Sequence, residues 1–258
     1  MRLTIQDISH VFNGGTNRHA LEWVSFEVEN GQFVALLGPS GCGKSTLLRL
    51  CANLLKPSGG KITFDGKTPA QAVRGRQIAW LAQSPALLPW LTSLQNVELA
   101  CRFHNLQREP RLLPQTALDM VGLADAAHVY PSALSGGMQQ RLALARVLTQ
   151  EAALWLMDEP FAALDELTRE RMTVELAEIW NRLRPTVVWV THNIYEALRL
   201  ADRVLVFSPS PGRILADIQV QLPRPRVESE PEYQRLLAAL RAALQGHPEQ
   251  MLEMAAAQ

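Results

Sequence analysis

The nine residues "GPSGCGKST" (38–46) constrain this chain more than any other stretch. They fit the pattern G-x-x-x-x-G-K-[ST] and lie between an apolar run, "FVALLG" (33–38), and a stretch that reads as helix from residue 44. A strand that turns through glycines into a helix gathers successive backbone N–H groups, and the positive end of the helix, around one point. That is a cradle for phosphate. Gly38, Pro39, Ser40, Gly41, Cys42, Gly43 and Thr46 build it, and Gly41 and Gly43 let the backbone curl. Lys44 supplies a point charge for β- and γ-phosphates, and Ser45 offers a hydroxyl to Mg²⁺.

Three further apolar runs have the length of buried strands: "IAWLAQ" (78–83), "AALWLMDE" (152–159) and "TVVWVTH" (186–192). They end in Gln83, in Asp158 with Glu159, and in His192. In open α/β sheets, ligands bind beyond the carboxyl ends of the strands. Residues 44–56, stopping before Pro57, read as a helix between two of these runs. So do Met172, Leu176, Ile179 and Leu183 before Pro185. The order predicts an α/β fold with a mainly parallel core. "RLTIQDISHVF" and "KITFDG", the latter closing in an Asp-Gly turn, predict an added antiparallel β piece. Residues from about 86 to 145 read as an inserted α-helical subdomain interrupted by Pro89, Pro110, Pro114 and Pro131. After "SPSPGR" and "LPRPR", Tyr233, Leu236, Leu237, Leu240 and Leu244 mark the apolar face of a last helix, which is expected to pack on its own domain.

Bulk properties narrow the function classes. Apolar residues make up 47% of the 258, enough for a large core, which argues against disorder. Lys plus Arg and Asp plus Glu are both 25, so no bulk electrostatic grip on nucleic acid is expected. Cys42, Cys51 and Cys101 form no disulfide framework and no zinc pattern, which fits a reducing cytosol. No run of 18 apolar residues exists, so any role in a membrane process is exerted from outside the lipid.

Two more stretches carry chemistry. In "LWLMDEP" (154–160), Asp158 suits a Mg²⁺ site and Glu159 could polarise a water as general base; paired acids after a strand are also a common solvated loop start. In "LSGGMQQR" (134–141), Ser135 is placed as a helix N-cap, and Gly136 and Gly137 clear the approach to the backbone. That is a second phosphate-ready helix start, or a plain Ser-Gly-Gly cap.

Taken in order, these stretches resemble the nucleotide-binding subunit of ATP-binding cassette (ABC) transporters. The likeness covers residues 3 to about 215: an aromatic near the start (Phe12), Walker A (38–46), a Q-loop glutamine (Gln83), the signature (134–138), Walker B (153–159), the D-loop "ALD" (163–165) and a switch histidine (His192). The resemblance implies a P-loop NTPase with a RecA-like core, a cassette over 3–228 and a helical tail over 229–258. It implies ATP and Mg²⁺ as cofactors, and a second copy of the chain arranged head to tail. One copy's Walker A and the other's Ser135, Gly136 and Gly137 would then close on ATP. Phe12 would stack on adenine, Asp165 would communicate across the dimer, and Gln83 would sense Mg²⁺ and the attacking water. His192 would contact the γ-phosphate.

"ALLPW", "DEPFAALDELTRERM", "VTHNIYEAL" and "VFSPSPGRI" are similar to importers of the nitrate, sulfonate, taurine and thiamine-precursor group. That implies transmembrane permease subunits, a periplasmic substrate-binding protein met indirectly, and a place on the cytoplasmic face of a bacterial inner membrane. "PALLPWLT" would be the docking surface for the permease. Asn53, Asn193 and Tyr195 stand where the group usually has Gly, Asp and Asp. The alternative is a soluble ABC ATPase acting on nucleic acid or ribosomes, which the neutral charge and the missing extra modules disfavour.

Overall fold

The computed structural model describes residues 1–12, 17–104 and 112–246. Along the chain run β1 (Leu3–Phe12), β2 (Arg18–Val28), β3 (Phe33–Leu37), α1 (Lys44–Cys51), β4 (Gly59–Phe64), α2 (Pro69–Arg74) and β5 (Ile78–Leu81). Then follow α3 (Ser93–His104), α4 (Pro114–Met120), α5 (Gly136–Leu148), β6 (Leu154–Asp158) and α6 (Glu166–Leu183). The chain closes with β7 (Thr186–Thr191), α7 (Ile194–Leu200), β8 (Arg203–Phe207), β9 (Ile214–Gln219) and α8 (Pro231–Leu244). Two compact units result. The first joins Met1–Gly75 to Arg184–Gln258, and the second is Arg76–Leu183.

The first unit contains two sheet regions. β2, β1 and β4 form the expected antiparallel piece, in that order. Its Asp65-Gly66 turn has φ of 48° and 79°, the paired positive values of a tight hairpin turn. In the other region β3 runs parallel to both β7 and β8, and β9 returns antiparallel beside β8. β3 and β7 are buried at every position, which is why they read as unbroken apolar runs. β2, β8 and β9 were not anticipated; β2 and β9 each carry exposed positions that dilute the pattern.

The helix predicted over 44–56 ends at Cys51, and Asn53 is the reason. Its φ is 57°, a left-handed value, and the bonds Asn53 N–H to Leu50 O (3.1 Å) and Leu54 N–H to Arg49 O (2.9 Å) close the last turn. Asn is among the few residues besides Gly that take this conformation readily, so the departure from the group's Gly preserves the cap. Leu183, expected on the buried face of α6, is 46% exposed at the helix end, whereas Met172, Leu176 and Ile179 are buried. α8 packs on α7 and β8 through Tyr233, Leu237 and Leu240, while Leu236 and Leu244 are only half-buried.

The second unit pairs β5 with β6 in parallel and packs α3, α4 and α5 against one another. Pro114 and Pro131 begin helical turns rather than break them, because the first turn needs no N–H from proline. Pro110 and residues 247–258 of the expected tail lie outside the described residues. Among the described residues, no helix is long and apolar enough to cross a membrane. All three cysteines are free, and burial pushes the Cys51 thiol up to about 12.

The cap at Asn53 gives a direct test. Asn53→Ala should cost ~1 kcal/mol, since an ordinary side chain pays about that to sit left-handed, whereas Asn53→Gly should cost nothing. Denaturation midpoints of the two variants check this; equal losses would contradict the assignment.

Candidate functional site

The phosphate loop leaves β3 at Leu37 and enters α1 at Lys44. Glycine is needed along it for two separate reasons. Gly41 and Gly43 have φ of 79° and 101°, a backbone state other residues rarely adopt. A Cβ on Gly43 would also lie 2.4 Å from Ala20 O, and one on Gly38 would lie 2.9 Å from Phe207 O. The loop is thus pressed against β2 on one side and β8 on the other.

Lys44 is 4% exposed. A buried ammonium needs acceptors. Its Nζ donates to Gly38 O (2.7 Å) and Pro39 O (2.9 Å) and contacts Cys42 Sγ (3.4 Å). The charge is therefore held within the loop by the loop's own carbonyls. Ser45 is half-buried and Thr46 buried in the first turn of α1. Ser40 is exposed on the outside of the loop.

His192 follows β7. Because Thr191 pairs with Leu37 in the β3–β7 register, His192 stands level with Gly38, and it is exposed. Phe12 ends β1 with its ring 41% exposed, and His10 meets it edge to face at 4.6 Å between centroids. One supporting residue escaped the sequence reading. Gly212, in the β8–β9 hairpin, donates its N–H to Ala20 O (3.0 Å) and accepts from Glu22 N–H (3.1 Å). A Cβ there would sit 2.0 Å from Cys42 O. The "SPSPGR" stretch thus packs against the phosphate loop as a buttress.

The second unit gathers the other residues. Leu81 pairs with Met157 at the end of the β5–β6 ladder; Gln83 follows β5 two residues on and is exposed, and Asp158 ends β6 with 1% exposure. Glu159 turns the chain out of the strand with φ of 47°. Ser135 caps α5, its Oγ accepting from Met138 N–H at 3.3 Å. A Cβ on Gly136 would meet nothing, whereas one on Gly137 would come within 3.2 Å of Leu164 Cδ2. The signature and D-loop stretches therefore adjoin. Asp165 Oδ1 accepts from Thr168 N–H (2.9 Å) at the start of α6, and that bond holds its carboxyl below the usual range.

In the "PALLPWL" loop, Leu87 and Leu88 are half-buried and Trp90 is 68% exposed. The buried Asn96 staples the loop: its Oδ1 accepts from Leu88 N–H (2.9 Å), and its Nδ2 reaches Leu88 O, Leu91 O and Thr92 O at 3.0–3.1 Å. Arg146 donates to Ala86 O at 2.5 Å. The leucines serve the local core, and the tryptophan faces out on a braced platform.

The fold and the phosphate loop define a P-loop nucleotide-binding protein. The sequence profile of the ABC transporter family matches residues 21–162. The taurine import ATP-binding protein TauB of Rhizobium johnstonii is 41% identical, over 89% of this chain and 90% of its own length. The nitrate import ATP-binding protein NrtD of Synechocystis sp. is 40% identical over 95% and 96%. A dimeric ATP-binding cassette in a post-hydrolysis state, bound to ADP and Pi, superposes with a TM-score of 0.76 at 31% identity, covering 86% of this chain and all of that one. This chain belongs to the ABC transporter family, as an ATP-binding cassette.

Two substitutions probe the loop. Lys44→Ala should lower ATP turnover by roughly 100-fold or more, since it removes the buried cation that the loop's carbonyls hold in place. Gly212→Ala should weaken nucleotide binding by about tenfold through displacement of the Cys42 carbonyl. Gly59→Ala, where a Cβ would meet nothing, is the control. A steady-state ATPase assay reads the first and titration with a fluorescent ATP analogue the second; unchanged affinity in Gly212→Ala would remove the buttress.

Proposed function

We propose that this chain is the ATP-hydrolysing subunit of a bacterial importer, peripheral to the cytoplasmic face of the inner membrane. It couples ATP binding and hydrolysis to uptake of a small solute of the nitrate, sulfonate, taurine or pyrimidine-precursor type. The observation that carries the reading is the phosphate loop with its buried Lys44, in one chain with the Asp158 carboxylate at the end of buried β6 and the capped Ser135 helix. The names of the import relatives support the solute class.

The residues fit ATP. The loop has glycine where a side chain would collide with Ala20 or Phe207, and its backbone turns into the N-terminus of α1. They also fit Mg²⁺. Asp158 at the end of buried β6 and the Ser45 hydroxyl in the first turn of α1 are the oxygen donors that such an ion takes alongside substrate phosphates. Ser45, Gln83 and Asp158 would hold it, and when bound it would neutralise charge on the β- and γ-phosphates.

In this reading Lys44 binds the β- and γ-phosphates, and Glu159 takes the proton of the attacking water. His192 contacts the γ-phosphate, and Phe12 carries the adenine. Ser135, Gly136 and Gly137 act on the nucleotide of a second copy, arranged head to tail, with Asp165 relaying between copies. The braced loop bearing Trp90 docks a permease; aromatic residues are enriched in such interface cores. The permease in turn meets a periplasmic binding protein. The cassette spans 3–228, with 229–258 as a tail.

Glu159→Gln tests the chemistry. The variant should still bind ATP, hydrolyse it at least 100-fold more slowly, and elute as a dimer in ATP. Turnover near the wild-type rate would overturn the base assignment.

A further inference from the structure

The turn that carries His192 is tied to a buried carboxylate that the family reading leaves without a role. Glu196, in the first turn of α7, is 6% exposed. A buried carboxylate is destabilising unless donors meet it. Its Oε2 accepts from Thr191 Oγ1 at 2.8 Å and from the indole Nε1 of the fully buried Trp189 at 3.4 Å. Thr191 Oγ1 in turn accepts from Asn193 N–H at 3.0 Å. The Asn193 side chain completes the ring, its Oδ1 accepting from Glu196 N–H at 3.3 Å and from Tyr195 N–H at 2.8 Å.

His192 sits inside this ring. The residue before it and the residue after it are both bound, directly or through one hydroxyl, to Glu196. Thr191 is also the partner of Leu37, which immediately precedes the phosphate loop. The far end of α7 is pinned as well: Arg226 caps Leu198 O and Ala201 O, and Arg224 caps Leu200 O. The Tyr195 hydroxyl accepts from Arg241 of α8 at 3.1 Å. α7 is thus held at both ends, and the ring fixes the backbone on either side of the histidine.

We propose that Glu196 is a positioning residue for ATP hydrolysis: its carboxylate locks Thr191 and Asn193 so that His192 is presented to the γ-phosphate. This rests on the reading of His192 given above. Glu196 touches no nucleotide, so its loss should act on turnover and spare binding. A misdirected catalytic group costs roughly 10- to 100-fold in rate.

The test measures kcat and KM for ATP on the full chain for Glu196→Ala, Glu196→Gln, Thr191→Val and His192→Ala, with thermal melts alongside. The expected result is kcat lowered about 10- to 100-fold in Glu196→Ala and Thr191→Val with KM within about threefold. Glu196→Gln, which keeps an acceptor oxygen, should recover most of the rate. Wild-type kcat in Glu196→Ala, with His192→Ala inactive, would overturn the inference alone. A Glu196→Gln rate no better than Glu196→Ala would also overturn it, as would a Thr191→Val chain that folds and turns over normally. Wild-type turnover in His192→Ala would instead overturn the switch reading beneath it.

Discussion

The phosphate loop owes its shape to crowding. Three segments far apart in sequence meet there at distances that only glycine allows: Gly38 against Phe207 O, Gly43 against Ala20 O and Gly212 against Cys42 O. Crowding fixes the backbone path, and the path brings the Gly38 and Pro39 carbonyls to the Lys44 ammonium. A charge buried this far is stable only because those acceptors are in place. The cradle is thus a property of strand packing, and the lysine follows from it.

Strand register does the remaining work. In the first unit it sets His192 beside the start of the phosphate loop; in the second it aligns the ends of β5 and β6, from which Gln83 and Asp158 with Glu159 emerge. In both, an apolar strand buried at most or all positions carries a polar residue out at its carboxyl end, so the chemistry stands on rigid elements. The side chains just outside are held by short-range bonds: Ser135 and Asp165 at helix starts, Asn96 under the Trp90 loop, Glu196 under His192.

What the sequence made legible follows from this. β3, β6 and β7 could be read because burial on both faces leaves an unbroken apolar run, and β5 because its four residues are apolar although only alternate ones are buried. The two glycine-rich stretches could be read because backbone curvature demands particular residues locally. The end of α1 was misplaced because Asn53 does the work of glycine without looking like it. Gly212 and Glu196 were invisible as functional residues for a different reason. Gly212 acts through a contact 170 positions away, and the Glu196 ring exists only once Trp189 and Thr191 share a buried face with α7. The exposure of "PALLPWL" was half legible, since its leucines are half-buried and, of its large apolar side chains, only the tryptophan is largely exposed.

The central claim is that this ATP-binding cassette drives a membrane importer. The most direct measurement is affinity purification of the tagged full chain from detergent-solubilised membranes, with mass spectrometry of what accompanies it, for wild type and Trp90→Glu. A polytopic permease should be recovered with the wild type and lost with Trp90→Glu, while ATP turnover of the free chain stays unchanged. Recovery of ribosomal or DNA-associated proteins with no membrane partner would contradict the claim.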